Sequence, residues 1–198
     1  MLQMKKFQKT RNGVTDFRAS IFKLRGGIWT VLFLAVWFLA EPSGLYTSLL
    51  GGVLVLMGQT LRFWAAGCIA RYRGEQVGAQ RLATWGPYSL VRNPLYVGNW
   101  FIGAGWGMIA GWKALLLFVV SFWVVYCLFI VPYEEDFLLR TFGEDYARYS
   151  ESTGRFIPRS FSPERLRGPF DAAVLWRSER HSLLVTLLGT ALLLFSLR

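Results

Sequence analysis

A chain of 198 residues with 54% hydrophobic and 17% aromatic residues has length for one domain and more apolar surface than a soluble domain of that size can hide. Lipid is therefore part of its solvent. The formal net charge of +10 raises nucleic acid as a partner, but the basic residues track the apolar pattern, which makes the charge a topology signal and argues against nucleic acid. Two cysteines without metal-ligand spacing and a single histidine, His181, argue against a metal centre and a Ser-His hydrolase.

Residues 1–25 are polar and basic, with Lys5, Lys6, Lys9, Arg11, Arg18, Lys23 and Arg25 among scattered apolar side chains. The pattern fits an interfacial helix or a frayed tail. Apolar runs follow at 26–40, 45–61, 95–111, 114–132 and 182–197, against the roughly 17–25 residues a spanning helix needs. The first and last are short by that measure. Glu41-Pro42-Ser43-Gly44 is turn chemistry and folds the first two runs into a hairpin. The second helix is predicted to continue to about Arg71, with Trp64 in the aromatic belt and Arg62 snorkelling toward water. Gly103, Gly107 and Gly111, four residues apart, form a small-residue stripe that admits a neighbouring helix. Trp112-Lys113 leaves room only for a tight connection into the fourth run. Residues 133–181 are charged, helical in their first half, and broken by Pro158, Pro163 and Pro169.

With the N-terminus inside, the basic segments 1–25, 62–94 and 133–181 all face the cytoplasm, and only Lys113 and Arg198 lie outside. The expected architecture is an all-α polytopic membrane helix bundle of about five transmembrane helices with a cytoplasmic N-terminus. It divides into the basic segment 1–25, a core at 26–160, and a linker with the last helix at 161–198. Membrane lipids with anionic headgroups complement its basic face.

Two motifs carry chemistry. Gly86-Pro87-Tyr88 and Arg92-Asn93-Pro94-Leu95-Tyr96-Val97-Gly98 precede the third run. Gly-Pro makes a turn, Asn-Pro turns the chain away from helix, and Pro94 suits a first helical turn that Asn93 can cap. By itself this describes a well-made helix start, whose free amides favour an anionic group. The second motif is Tyr133-Glu134-Glu135-Asp136-Phe137 at the end of the fourth run, followed by Phe142-Gly143-Glu144-Asp145-Tyr146 and Tyr149. Carboxylates against a membrane are costly and point to function. The bland alternative is a solvated helix-end patch paired to Arg140. The third-run/fourth-run hairpin places the two motifs side by side.

In this order and spacing, over residues 45–160, the motifs resemble the membrane methyltransferase superfamily of isoprenylcysteine carboxyl methyltransferases and phospholipid N-methyltransferases. The resemblance implies S-adenosylmethionine as cofactor and a helical rather than sheet-based site. It implies that Tyr88, Arg92, Asn93 and Tyr96 contact the cofactor, that Gly98 leaves it space, and that Glu134 and Glu135 bind its polar edge. Two departures bear on the acceptor. Many members have His where Asn93 stands, and Asn cannot titrate. Many carboxyl methyltransferases have Arg at the position of Ser152, leaving Arg155, with Arg148, to steer an anionic acceptor. An amine acceptor must first lose its proton, a duty open to Glu134 or Glu135. The partner implied is a lipophilic small molecule or lipidated substrate, either a prenylcysteine-type carboxylate or a phospholipid amine. A membrane NADPH-dependent reductase of the sterol type and a non-catalytic lipid-binding membrane protein are the competing readings.

Overall fold

A computed structural model describes residues 2–69 and 81–196 of the chain, with side chains from Phe17 to Ile69 and from Arg81 to Phe195. Its helices are α1 (Leu2–Phe38), α2 (Leu45–Cys68), α3 (Pro94–Ala110), α4 (Trp112–Phe142), α5 (Glu144–Ser152) and α6 (Ala172–Ser196). Short 3₁₀ turns occupy Gly86–Ser89 and Pro163–Leu166. The described residues contain no strand, only an isolated bridge between Val91 and Gly154. Three helical stretches are long and apolar enough to cross a membrane: Phe17–Phe38 within α1, all of α2, and α4. Arg71 and Arg73 of the basic segment 62–94 lie outside the described residues, as does Arg198. The predicted end of the second helix near Arg71 falls there too.

The helix boundaries differ from the predicted ones in informative ways. No break separates a basic segment from a first span, because α1 runs through residue 25 and its apolar stretch already begins at Phe17. Long basic side chains such as Arg18 and Lys23 can reach the interface from the end of a span without ending the helix. The last helix starts ten residues before 182, where Asp171 Oδ1 accepts the backbone N–H groups of Ala173 (2.8 Å) and Val174 (3.1 Å). That carboxylate satisfies donors the first helical turn leaves open. The fourth helix does not stop at Pro132. Its Trp123–Ile130 stretch widens into a π-helical segment, and the Val131 N–H reaches back five residues to the Tyr126 carbonyl. A widened ladder accommodates a proline that donates no N–H, so the helix continues to Phe142 and carries the Glu pair with it.

Small residues decide how the helices meet. A Cβ placed on Gly51 would lie 2.6 Å from the Gly105 carbonyl oxygen, and one on Gly58 would lie 2.6 Å from that of Gly98. Helices α2 and α3 therefore touch backbone to backbone. The Gly103/Gly107 stripe serves α4 as predicted: Gly103 receives the Phe118 ring and Gly107 faces the Leu115 Cα. Gly111 takes φ +97 between α3 and α4, a conformation open to glycine. The Glu41 N–H donates to the Ala110 carbonyl (2.9 Å), tying the two hairpin ends together.

Helix α6 packs on α2 and α3. Thr186 Oγ1 donates to Gln59 Oε1 (2.9 Å) and Trp106 Nε1 to Thr190 Oγ1 (2.9 Å). Here the structure corrects the snorkelling expected of Arg62. Arg62 is buried and its guanidinium grips Glu179 of α6, Nε to Oε2 at 3.0 Å and Nη2 to Oε2 at 2.8 Å. Glu179 is fully buried. An acidic partner arriving from another helix removes the drive toward water.

Candidate active site

The Gly86–Ser89 turn, the start of α3, the end of α4 and the chain after α5 converge. Arg92 is the hub. Its backbone N–H donates to the Gly154 carbonyl (2.8 Å) beside the Val91–Gly154 bridge. Its side chain donates to the carbonyls of Thr153 (2.8 Å) and Ser150, and its Nε donates to Glu135 Oε1 (3.1 Å). Glu135 also accepts from Arg155, whose Nε lies 3.1 Å from Oε2 and whose Nη2 makes a short ion pair with it. The first motif is thus joined to the second through one carboxylate and two guanidinium groups. Such charge-assisted pairs are short and directional, and this one is largely shielded from water on the Glu135 and Arg92 sides. The hydrogen bonds that Arg155 donates to Glu135 raise its pKa above the ordinary value, against an opposing pull from burial.

Asn93 occupies the N-cap position of α3 but makes no side-chain cap. Its Nδ2 donates instead to Glu135 Oε1 (3.4 Å) and to the Arg155 carbonyl (3.3 Å). The expected cap is therefore replaced by a link across the site, with Pro94 making one of the orphan amides unnecessary. The three acidic residues of the second motif part company. Glu134 lines a cleft, Glu135 holds the arginines, and Asp136 pairs on the exposed surface with Arg140 (2.5 Å). The solvated-patch reading holds for Asp136 alone.

Helix α5 braces the loop from below. Tyr149 Oη donates to the Tyr88 carbonyl at 2.7 Å, a buried bond. Burial pushes the Tyr146 and Tyr149 hydroxyls above their usual range, so both stay neutral at physiological pH and Tyr149 keeps its donor proton. Removing the Tyr149 hydroxyl leaves a buried carbonyl unsatisfied. Tyr149→Phe is expected to cost about 1–2 kcal/mol, measured as a lowered melting temperature of the purified protein with its helical circular dichroism retained.

Two cavities adjoin. A cleft of about 340 Å³ is lined by Tyr88, Arg92, Asn93, Tyr96 and Glu134, with Arg25 and Arg81 also on its wall. A second cavity of about 670 Å³ lies between α1 and α6, walled mostly by apolar and aromatic side chains such as Phe33, Trp106 and Phe118. Trp29, Arg62, Asn99 and Tyr126 line both. Tyr96 and Tyr126 pack ring to ring at 4.5 Å, and Trp29 stacks on Tyr126 at 5.2 Å. Among the described residues no group of His, Cys, Asp and Glu is arranged to hold a metal ion.

Comparison with known proteins fits this geometry. A model of the family described as phospholipid methyltransferase matches residues 46–145, about half of the chain, from α2 to the start of α5. The chain belongs to this family. Methanethiol S-methyltransferase 2 of Bradyrhizobium diazoefficiens is 32% identical over 94 residues, 48% of this chain and 35% of that protein. The probable protein-S-isoprenylcysteine O-methyltransferases of Oryza sativa subsp. indica and subsp. japonica are each 29% identical over 120 residues, 57% of this chain and 62% of theirs. The chain thus spans about a third to three-fifths of the length of these relatives. The family match goes together with helices long and apolar enough to cross a membrane.

Of the residues singled out in sequence, Tyr88, Arg92, Asn93, Tyr96 and Glu134 line the cleft, while Glu135 and Arg155 do not line it and are bonded to Arg92 and Asn93, which do. Gly98 sits against α2, where a Cβ would meet Arg62 Cγ at 2.5 Å and the Gly58 carbonyl at 2.8 Å. The room it makes is taken by a helix and by Arg62. Arg148 stands on the exposed face of α5, paired with Asp145 (2.6 Å), outside the cluster. Trp29, Asn99, Tyr126 and Glu179, which no motif marks, also stand here, together with Arg62, expected at the interface and not in a site. Two of these carried a signal, since Arg62 and Glu179 are charges within or beside apolar runs.

Proposed function

We propose that the protein transfers a methyl group from S-adenosylmethionine to a lipophilic acceptor at the cytoplasmic interface of a membrane. The observation that carries the reading is the joining of both family motifs around one cleft, backed by an apolar cavity. The cleft's volume falls within the roughly 300–1,000 Å³ of small-molecule sites. Its lining fits the donor: the Glu134 carboxylate suits hydroxyl or ammonium groups, and Tyr88, Tyr96, Asn93 and Arg92 supply aromatic surface and hydrogen-bond donors. When bound, the donor supplies an electrophilic methyl group on a sulfonium.

The residues of the chain have only positioning and shielding to do, because an in-line displacement draws most of its acceleration from orientation. Glu134 balances positive charge at the cleft. Glu135 fixes Arg92 and Arg155, which in turn fix the loop that forms the cleft wall. Asn93 holds the turn without acid–base chemistry. Trp29 and Tyr126 keep water from the junction with the apolar cavity, which takes the acceptor's tail. A five-span arrangement with the N-terminus in the cytoplasm accompanies this reading, α3 and α6 adding to the three stretches above. It is supported by the basic residues clustered at one end of the alternating runs. The acceptor ranges over a thiol or a carboxylate, as in the relatives' names, and a phospholipid amine.

The test is incubation of the purified protein with methyl-labelled S-adenosylmethionine and a whole lipid extract. Label is expected to enter an organic-soluble product with wild type, to remain within about twofold for Arg148→Ala, and to vanish for Tyr96→Ala combined with Glu134→Ala. Consumption of a nicotinamide cofactor in place of label transfer would establish the reductase reading instead.

A further inference from the structure

The junction of the two cavities holds a charged group that the family motifs leave without a task. Arg62 lines both the polar cleft and the apolar cavity. Glu179 takes its Nε and Nη2 edge in a two-pronged grip, with contacts of 3.0, 3.1 and 2.8 Å. Asn99 Oδ1 accepts from Nη1, and Asn99 Nδ2 donates to Tyr126 Oη (2.8 Å). An arginine offers five N–H groups in a fixed fork. These bonds leave at least one N–H on Nη1 without an acceptor among the described residues, on a side chain that forms the wall of both cavities.

A packing role alone accounts poorly for this arrangement. Helix α6 is already joined to α2 and α3 through Thr186–Gln59 and Trp106–Thr190. A buried ion pair is at best a weak source of stability compared with apolar packing. The pair's distinguishing property is where it holds the guanidinium. Glu179 also lies beyond the matched residues 46–145, so this contribution comes from the chain outside the family core.

We propose that Arg62 hydrogen-bonds the head group of the methyl acceptor at this junction, and that Glu179 of α6 is the positioning residue that aims it. The inference rests on the methyltransferase reading and deepens it by assigning the class of head group. An anionic or neutral head that accepts hydrogen bonds, such as a carboxylate, is held by the guanidinium edge. An ammonium head only donates and meets a like charge there. Glu179 offsets much of that repulsion, so the discrimination rests on hydrogen-bond direction: the remaining guanidinium N–H needs an acceptor, and an ammonium offers none.

The experiment uses the full chain in phosphatidylcholine nanodiscs and two probes with one tail, N-acetyl-S-farnesylcysteine and farnesylamine. Probe binding is read from tryptophan fluorescence, since Trp29 and Trp106 line the cavity, and S-adenosylhomocysteine binding is measured in parallel by calorimetry. Wild type is expected to bind the carboxylate at least tenfold more tightly than the amine. R62K keeps a positive charge beside Glu179 and so preserves the buried pairing. It is expected to weaken carboxylate binding about tenfold and to shrink the head-group preference below threefold, with S-adenosylhomocysteine affinity unchanged within twofold. E179Q is expected to move the preference in the same direction, and E179D to restore it in part. A purely structural pair would shift melting temperature and both probes alike. Unchanged preference in R62K, or no preference in wild type that binds S-adenosylhomocysteine, overturns the inference and leaves the methyltransferase reading standing. Failure of wild type to bind S-adenosylhomocysteine removes the methyltransferase reading, and the inference with it.

Discussion

Glu135→Ala is expected to reduce methyl transfer by roughly a hundredfold or more. The carboxylate accepts from Arg92, Asn93 and Arg155 at once, and its own exposure is 13% against 11% for Arg92. Removing one partner of a shielded charge pair leaves the other uncompensated, at about 3–5 kcal/mol for a fully buried pair. Arg155 is 42% exposed and recovers much of its share from water, which brings the figure to about 3 kcal/mol. Spread over the loop that walls the cleft, that corresponds to about two decades in rate. Initial rates with labelled donor check the expectation, and Glu135→Gln, which keeps hydrogen-bond acceptance on one oxygen, is expected to retain more activity. Asp136→Ala serves as the contrast: its pairing with Arg140 is a surface i,i+4 bridge, worth about 0.3–0.5 kcal/mol, and the rate is expected to hold within twofold.

Gly98→Val is expected to destabilise the bundle by about 3 kcal/mol, near the upper end of the range for overpacking a close contact. A single Cβ there already meets Arg62 Cγ at 2.5 Å and the Gly58 carbonyl at 2.8 Å. Valine adds two methyl groups at the same point. Relief requires α2 and α3 to part, which also breaks the approach at Gly51 and Gly105 and shifts Arg62 off Glu179. Thermal unfolding in detergent is the measurement. Gly52→Ala on the facing helix α2 has open space around its Cβ and is expected to be neutral or to stabilise by about 0.5–1 kcal/mol through helix propensity alone. Equal effects at the two positions would contradict close packing at Gly98.

The site's polar half was legible in sequence because its residues are locally anomalous. Gly-Pro and Asn-Pro are turn chemistry, Glu134-Glu135 stand at the end of an apolar run, and a two-residue connection forces the flanking helices together. What sequence left open was which bonds each residue makes. Asn93 read as a cap, yet its amide is drawn to Glu135 and the Arg155 carbonyl, a choice made by chain segments about 40 and 60 residues away. Arg62 read as a snorkelling side chain because its partner is on the last helix, 117 residues on. Helix ends failed for a related reason. Hydropathy stops at Pro132 and starts at 182, whereas the π-helical segment carries α4 past the proline and Asp171 starts α6 in polar sequence. The stacking of Trp29 and Tyr126 beside Tyr96 is invisible in sequence, since both are among many aromatics in apolar runs.

The central claim is that one cleft, shared by the two motifs, holds the methyl donor. Calorimetric titration of S-adenosylhomocysteine into the nanodisc-embedded protein tests it most directly. The account requires a single saturable site, with affinity at least tenfold weaker in Tyr96→Ala and in Glu134→Ala and unaltered in Asp136→Ala. Absence of binding by the folded wild-type protein, or binding indifferent to Tyr96 and Glu134, would contradict it.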